Sequence, residues 1–551
     1  MKKLLLLFFF SLGSFNFSSA QNPLVKMWDY RFGGNDGDAF QVFCSTQNGF
    51  LLAGYSWSNI SGDKSQSVIG ESDFWIIKID LLGNKDWDKG FGGYKEDRLS
   101  AIIKTNDGGY LCGGSSYSGV SGDKTEPNRD STENTTDYWI LKIDSIGNKE
   151  WDRSYGGDNF DNLISIQQTT DQGYIIGGNS RSRNTGDKTF DNWDTTGLTN
   201  DFWIIKIDSV GTQEWDKDFG TQGLDHFAGI VQDNDGSYLV GGTPALDSTG
   251  DKTDSGWGGG DYWIIKLGLN GNKIWDKSLG GSGQESLHSI ILTEDSGFLL
   301  AGGSLSGISG NKTQPNWDTT GGTWDYWLLK IDSLGNTQWD RDYGGTSSDY
   351  AYVNVCQAEN GSYLVSGQSI SDSGGNKTED NLGFIQTWIL LVDSLGNIIW
   401  DKTLLTNTQS QDIQGNAVQT GDGCYLIANG TDAGIGGYKT QPSWGSMDYW
   451  IIKFCDSTLT TNVAGTEKEN EQLLLSPNPT EGKFTISGLP FVAGQIEIYN
   501  MLGEKIYSAV QLQTSNLKPE TTIDCRLFQK GIYLVKASPG EKMFTYKLVV
   551  E

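Results

Sequence analysis

Apolar and polar positions alternate with a period of two through a stretch that recurs seven times, read most cleanly as DYWILKIDSIGNKEWDRSYGG from Asp137 to Gly157. Trp139, Leu141 and Ile143 fall on one side of an extended chain and Tyr138 and Ile140 on the other, so this strand has apolar neighbours on both faces. The Asp-Ser-Ile-Gly-Asn run that follows supplies the glycine and asparagine of a tight turn, and Glu150 to Tyr155 returns as a second strand. Upstream, Ile102 to Gly114 reads as another hairpin, turning at Asn-Asp-Gly-Gly. Each unit therefore holds four antiparallel strands, a to d from the inside out.

The strand-c tryptophans are Trp75, Trp139, Trp203, Trp263, Trp327, Trp388 and Trp450, spaced 64, 64, 60, 64, 61 and 62 residues apart. A fixed period of this length marks an array of supersecondary units that bury their faces on one another. A second tryptophan, on strand d, recurs at Trp28, Trp87, Trp151, Trp215, Trp275, Trp339 and Trp400. Trp28 precedes any strand c, and no such tryptophan follows Trp450. Donation of the N-terminal strand to the last unit completes all seven and closes the array, which removes the exposed end units of an open solenoid. The expectation is an all-β chain: a seven-bladed β-propeller of four-stranded blades over residues 21–455, closed by an N-terminal strand, and a small C-terminal β-sandwich over residues 472–551. The blade, with apolar positions and a diglycine (Tyr174 to Gly178), a loop, a Tyr-Trp pair and a further tryptophan, resembles the kelch repeat, although its period is longer. That resemblance implies no activity.

Residues 1–20 begin with Lys2 and Lys3, continue through an apolar run from Leu4 to Phe10 and end at Ser18-Ser19-Ala20, the pattern of a cleaved export leader. Gln21 stands where a lipoprotein would carry cysteine, and no other stretch approaches the roughly 18 apolar residues of a membrane span. Loss of the two leader lysines takes the formal charge from -28 to -30. So acidic a surface argues against nucleic acid or an anionic membrane as partner.

Loop chemistry concentrates on the face that carries the b–c loops and the crossings between blades. Each b–c loop holds a Gly-Asp-Lys-like turn, with Lys64, Lys124, Lys188, Lys252, Lys312, Lys377 and Lys439. It reads as a glycine-assisted turn with a solvated Lys-Asp pair, the alternative being a ring of lysines facing a polyanion. Fourteen of the 20 tryptophans occupy framework positions, and the other six, Trp57, Trp193, Trp257, Trp317, Trp324 and Trp444, all fall in b–c loops. These are candidate ligand anchors, for stacking on sugar rings or for a protein interface, unless each folds down over its own blade. Strand a of each unit begins with an acid: Asp38, Asp97, Asp161, Asp225, Glu285, Asp349 and Asp412. As a ring at the channel mouth these acids form a candidate Ca²⁺ site, otherwise no cofactor being expected; as structural groups they accept backbone hydrogen bonds at each crossing.

Catalysis has little support, since His226 and His288 show no metal-ligand spacing and no nucleophile motif is present. A polysaccharide-active enzyme with paired carboxylates at the channel mouth is the alternative to a non-catalytic glycan- or protein-binding module. Of six cysteines, Cys424 and Cys455 sit at matching ends of neighbouring strands and are expected to form a disulfide, with Cys44, Cys112, Cys356 and Cys525 as buried thiols.

Residues 456–471 lose the repeat and read as a linker. Beyond it, Leu475 to Phe484 with Pro477-Asn478-Pro479 and Gly482, Ile496 to Gly503, Gly531 to Lys536 with Tyr533, and Lys547 to Val550 closely resemble the type A C-terminal sorting domain of type IX secretion cargo. The resemblance implies recognition by that translocon and delivery to the cell surface or the medium. The Asp-Ser-apolar triplets at Asp144, Asp208, Asp332 and Asp393 resemble a bacterial O-glycosylation sequon, while turn chemistry alone also accounts for them.

Overall fold

Strand c, apolar on both faces, is flanked on each side by a paired strand, and the sheet this builds is repeated around the propeller. The computed structural model describes residues 24–245, 249–318, 320–407 and 412–456, and then 474–476, 480, 482–487, 494–500, 505–511, 521–526, 528–539 and 544–550. The leader at 1–20, the linker over 457–471, Pro477, Asn478, Pro479 and Gly503 lie outside the described residues, as do the side chains of Asp412 and Lys547. The chain divides into two compact units, through Phe454 and from Cys455 onward.

Blade 3 shows the plan: strands a (Asp161–Gln168), b (Tyr174–Ser180), c (Asp201–Ile207) and d (Gln213–Phe219) pair in that order. Six sheets follow this order, and in the seventh the N-terminal strand Leu24–Phe32 takes position d beside Asp448–Asp456. The closing strand is thus where the tryptophan count places it. The second unit has two sheets, of three and four strands, whose inner faces share one core of Phe484, Ile498, Ile523, Val535 and Leu548, among others. This is the expected sandwich.

The diglycine has a steric cause. Strand a bulges between its third and fifth residues in blades 1 to 5, as between Leu163 and Ser165. The bulge drives a carbonyl toward strand b, so that a Cβ on Gly178 would lie 2.0 Å from the Asn162 oxygen, and one on Gly114 2.0 Å from that of Arg98. Only glycine fits there.

Aromatic pairs join the blades. The residue before each strand-c tryptophan meets the strand-c tryptophan of the next blade, as in Tyr138–Trp203 (ring centroids 5.0 Å apart) and Tyr262–Trp327 (4.8 Å). The Tyr138 and Tyr262 hydroxyls donate to the backbone carbonyls of those tryptophans at 3.1 and 2.9 Å. Tyr449 of blade 7 meets Trp75 of blade 1 at 5.0 Å, so the same contact closes the ring. At the junction of blades 6 and 7 the aromatic is replaced by Thr387, which accepts from Asn429 instead.

Within a blade, the aspartate that follows the strand-d tryptophan joins three segments. In blade 4, Asp276 accepts from the Trp263 indole N–H of strand c (3.0 Å), from the Thr253 backbone N–H of the b–c loop (2.8 Å) and from Lys273 (2.9 Å). Burial alone would raise this carboxyl, but these partners hold it down at about 2. Asp29 on the N-terminal strand repeats the set in blade 7, with Trp450 (3.1 Å), Thr440 (2.9 Å) and Lys26 (2.6 Å).

Removal of this acceptor leaves a buried indole N–H and a loop N–H unpaired, a loss of about 3–5 kcal/mol. Asp276→Ala and Asp29→Ala are therefore expected to lower unfolding stability in urea by similar amounts, although Asp29 lies about 420 residues from its tryptophan. A much smaller loss for Asp29→Ala would show that the N-terminal strand does not close blade 7.

Candidate functional site

The acids that open strand a are not free at a channel mouth. Asp38, Asp97, Asp161, Asp225, Glu285 and Asp349 are fully buried. Each accepts the backbone N–H of the residue four positions earlier, at 2.6–2.8 Å, which fixes the crossing from the preceding blade. Serine hydroxyls complete five of them, Ser58 on Asp38, Ser118 on Asp97, Ser182 on Asp161, Ser304 on Glu285 and Ser371 on Asp349. Among the described residues, no group of three or more His, Cys, Asp or Glu side chains is placed to hold a metal ion.

The seven loop lysines depart from both expectations, since all are buried rather than solvated or facing a partner. The Gly-Asp-Lys turn folds inward, and the ammonium groups enter the carboxylate clusters at the heads of the strands. Lys124 and Lys377 donate to Ser116 and Ser369 at 3.0 Å, Lys188 pairs with Asp218 at 2.5 Å, and Lys312 pairs with Asp342. Burial pulls Lys124 and Lys377 down to about 8, against the pull of neighbouring aspartates. Asp218 and Asp342 are extra acids, for the corresponding positions of blades 2 and 4 are Ser154 and Ser278. Burial, and next the adjacent Asp218 or Asp342, pushes Asp201 and Asp325 up to about 9.

The six surplus tryptophans separate into three groups. Trp193, Trp257, Trp317 and Trp444 share one repeat position, where the backbone N–H donates to the carboxylate that opens strand c, at 2.6–2.8 Å. Ile69, Arg129 and Leu382 hold that position in the other blades. These four indoles are 46–58% exposed, and they reach the next blade rather than covering their own. Trp193 donates to Asp251 at 2.7 Å and Trp317 to Asn376 at 2.6 Å, while Trp257 lies over Gly310 and Trp444 over Gly62. Trp324 does pack on its own blade, against Gly303. Trp57 lines a cavity.

That cavity, of about 540 Å³, is lined by Tyr55 and Trp57 of blade 1, Ser446 and Met447 of blade 7 and Tyr352 of blade 6, with Ala39, Phe40 and Gln41 of strand a. Tyr55 and Trp57 meet edge-on, with centroids 5.1 Å apart and planes at 70°. A smaller hollow of about 190 Å³ shares Gln41 and Tyr55 and continues over Arg98, Ser100 and Asn162. Arg98 lies over the Tyr55 ring at 5.7 Å and pairs with Glu96 at 2.6 Å.

Tyr352 has φ 53°, a rare conformation for a residue within a strand. Its signal is in the spacing: the strand-a acid stands 14 residues before the strand-b tyrosine in blade 6, against 13 in blades 2 to 4. Tyr55 stands where Ser115, Asn179 and Thr243 sit in the next three blades, another departure from the repeat.

His226 and His288 lie on strands a of blades 4 and 5. The His288 ring is within 3.1 Å of the Ser286 hydroxyl, and burial takes it down to about 4, so it is neutral at ordinary pH. Cys424 and Cys455 are disulfide-bonded. Cys112 and Cys525 are buried free thiols, and Cys44 and Cys356 are partly buried ones. In the second unit, Tyr533 is buried and donates to the Gln529 carbonyl at 2.7 Å, and the Gly482 carbonyl accepts from Cys525 at 2.8 Å. Gly531 opens a strand and Lys547 lies in the last one.

The first unit is a seven-bladed β-propeller with an aromatic hollow among three of its blades, and the second is a β-sandwich. Residues 475–551 match the secretion system C-terminal sorting domain, which implies recognition by the type IX system and export to the cell surface or extracellular space. Among solved structures, the chain is similar to PorZ of Porphyromonas gingivalis, a surface component of the type IX secretion system (12% identity, 94% of this chain and 60% of that one, TM-score 0.37). It is also similar to a protein from Dyadobacter fermentans (12%, 67% and 99%, TM-score 0.39) and to a family 32 glycoside hydrolase from Bifidobacterium adolescentis (9%, 95% and 96%, TM-score 0.26). No curated protein matches. Likenesses this distant carry no ligand or activity to this chain. No helix among the described residues is long and apolar enough to cross a membrane, which says nothing of strands.

The raised carboxyls set a sign for pH dependence. A group whose folded pKa lies above its unfolded value stabilises fully below the unfolded value, and that contribution is lost as pH rises toward the folded one. For Asp201 and Asp325 the window runs from about 4 to about 9, at up to about 1.4 kcal/mol per pH unit for each group. The double variant Asp218→Ser, Asp342→Ser, which installs the side chain of blades 2 and 4, is expected to lose less stability than the parent between pH 5 and pH 9 in urea titrations. Parallel curves would show that these pairs hold no extra proton.

Proposed function

We propose that the exported chain is a non-catalytic binding protein whose loop-rich face takes a glycan or a protein partner through aromatic side chains. The observation that carries this reading is the gathering of half-exposed indoles at one repeat position, beside an aromatic hollow on the same propeller. Aromatic side chains supply large, stiff apolar faces and are enriched among binding anchors. We read the blades as kelch-like, on the diglycine and the tryptophan pair, and residues 1–20 as a leader. The alternative, a polysaccharide-active enzyme, needs two carboxyl groups flanking a glycosidic bond. The strand-a acids that would serve it are buried and occupied by backbone N–H donors, which favours binding over cleavage.

Incubation of the purified chain with a panel of polysaccharides, followed by sedimentation and by assay of reducing ends, separates the readings. Binding without release of reducing ends is the expected result. Release that disappears on substitution of two particular acids would replace binding with hydrolysis, and no retention on any glycan would direct the search to protein partners.

A further inference from the structure

The aromatic hollow has a composition that narrows the ligand. Its volume of about 540 Å³ falls within the roughly 300–1,000 Å³ of small-molecule sites. Three rings, Tyr55, Trp57 and Tyr352, come from separate departures from the repeat. The Gln41 amide lines both hollows and makes no hydrogen bond among the described residues. Asp36, on the rim, accepts the Gly37 N–H at 2.8 Å with one oxygen and is exposed.

A pyranose ring presents an apolar C–H face bordered by hydroxyls, and an indole with a neighbouring amide and carboxylate complements both. The charge here disfavours an anion. Arg98 is neutralised by Glu96 at 2.6 Å, Asp36 is unopposed by any ion pair among the described residues, and the chain as a whole carries -28. Continuity with the smaller hollow through Gln41 and Tyr55 gives the site length, so that a second sugar unit would meet Arg98, Ser100 and Asn162.

We infer that the linked hollows, which run from Tyr352 of blade 6 past blades 7, 1 and 2 to Asn162 of blade 3, bind a neutral oligosaccharide, one pyranose stacked on Trp57 and the next held by the polar groups around Gln41 and Asn162. This rests on the glycan branch of the reading above and assigns it to the hollow rather than to the rim indoles.

Isothermal titration of the full chain with cellotriose, maltotriose, xylotriose, laminaritriose, mannotriose and chitotriose, with trigalacturonate as the anionic counterpart, tests it. At least one neutral trisaccharide is expected to bind and trigalacturonate is not. Trp57→Ala and Gln41→Ala should each weaken that binding about tenfold or more, while Trp57→Phe, which keeps an aromatic face, should lose far less. The rim double variant Trp257→Ala, Trp444→Ala, which removes two of the indoles named above as anchors, should weaken it far less than Trp57→Ala does. Matching thermal melts exclude unfolding as the cause. Loss confined to the rim variant would overturn the hollow and leave the glycan reading standing, and preference for trigalacturonate would overturn the neutral class. Failure of every trisaccharide would overturn the inference, and only failure of the polysaccharide panel as well would remove the reading beneath it.

Discussion

The aspartate after the strand-d tryptophan is the contact on which each blade depends. It takes a buried indole from strand c and a backbone N–H from the loop that leaves strand b, so one side chain ties three segments of the blade together. Apolar burial alone would leave strand d able to slide, because its outer face is half exposed. A directional acceptor fixes the register instead. Because Asp29 makes the same contacts from the far end of the chain, closure is encoded by residue chemistry as well as by the hydrophobic pattern.

This arrangement requires charge in the interior. Seven lysines and the acids at the strand heads are taken out of water together, which costs energy unless each is paired and hydrogen-bonded. Four of the clusters meet the condition in different ways, whereas the Lys64 ammonium of blade 1 has no hydrogen-bond partner among the described residues. In blades 3 and 5 an additional aspartate faces the lysine and shares its surroundings with the strand-c acid. In blades 2 and 6 a serine hydroxyl receives the ammonium group. The turn on the opposite face has its own pair, where the strand-c Lys142 meets Asp107 and Glu150 at 2.8 Å and thereby joins strand c to the a–b turn. Both ends of strand c are held by charge.

The periodic features were legible in the sequence because every blade repeats them: the strands, the seven-fold count, the closing strand and the sorting motifs. The buried lysines were not. A Gly-Asp-Lys turn has the composition of a solvated loop, and only the fold shows that its glycine turns with positive φ, as at Gly122 and Gly186, and carries the lysine inward. The strand-a acids were legible in one of their two readings, since each described acid accepts a backbone N–H at its crossing rather than standing open in a ring. The hollow is illegible for the opposite reason. In the sequence Trp57 is one of six loop tryptophans of equal standing, whereas its partners Tyr55, Tyr352 and Gln41 are irregularities that the repeat does not display.

Insertions into this frame have unlike consequences according to where they fall. The longer b–c loops of blades 2, 3 and 5 add four residues after the rim position. Asp130, Asp194 and Asp318 absorb them by accepting the backbone N–H two residues on, at 2.9–3.0 Å. The excess chain there loops outward and satisfies itself, and the frame beneath does not change. Strand a has no such outlet, for it is paired along strand b and enclosed by the neighbouring blades. One extra residue in blade 6 widens the bulge between Tyr350 and Asn354, turns Tyr352 to a positive φ and places it in the hollow. A single-residue insertion in the innermost strand therefore reshapes the hollow, whereas four residues on the rim leave the frame as it is, and the hollow is where a propeller built on so uniform a repeat departs from it.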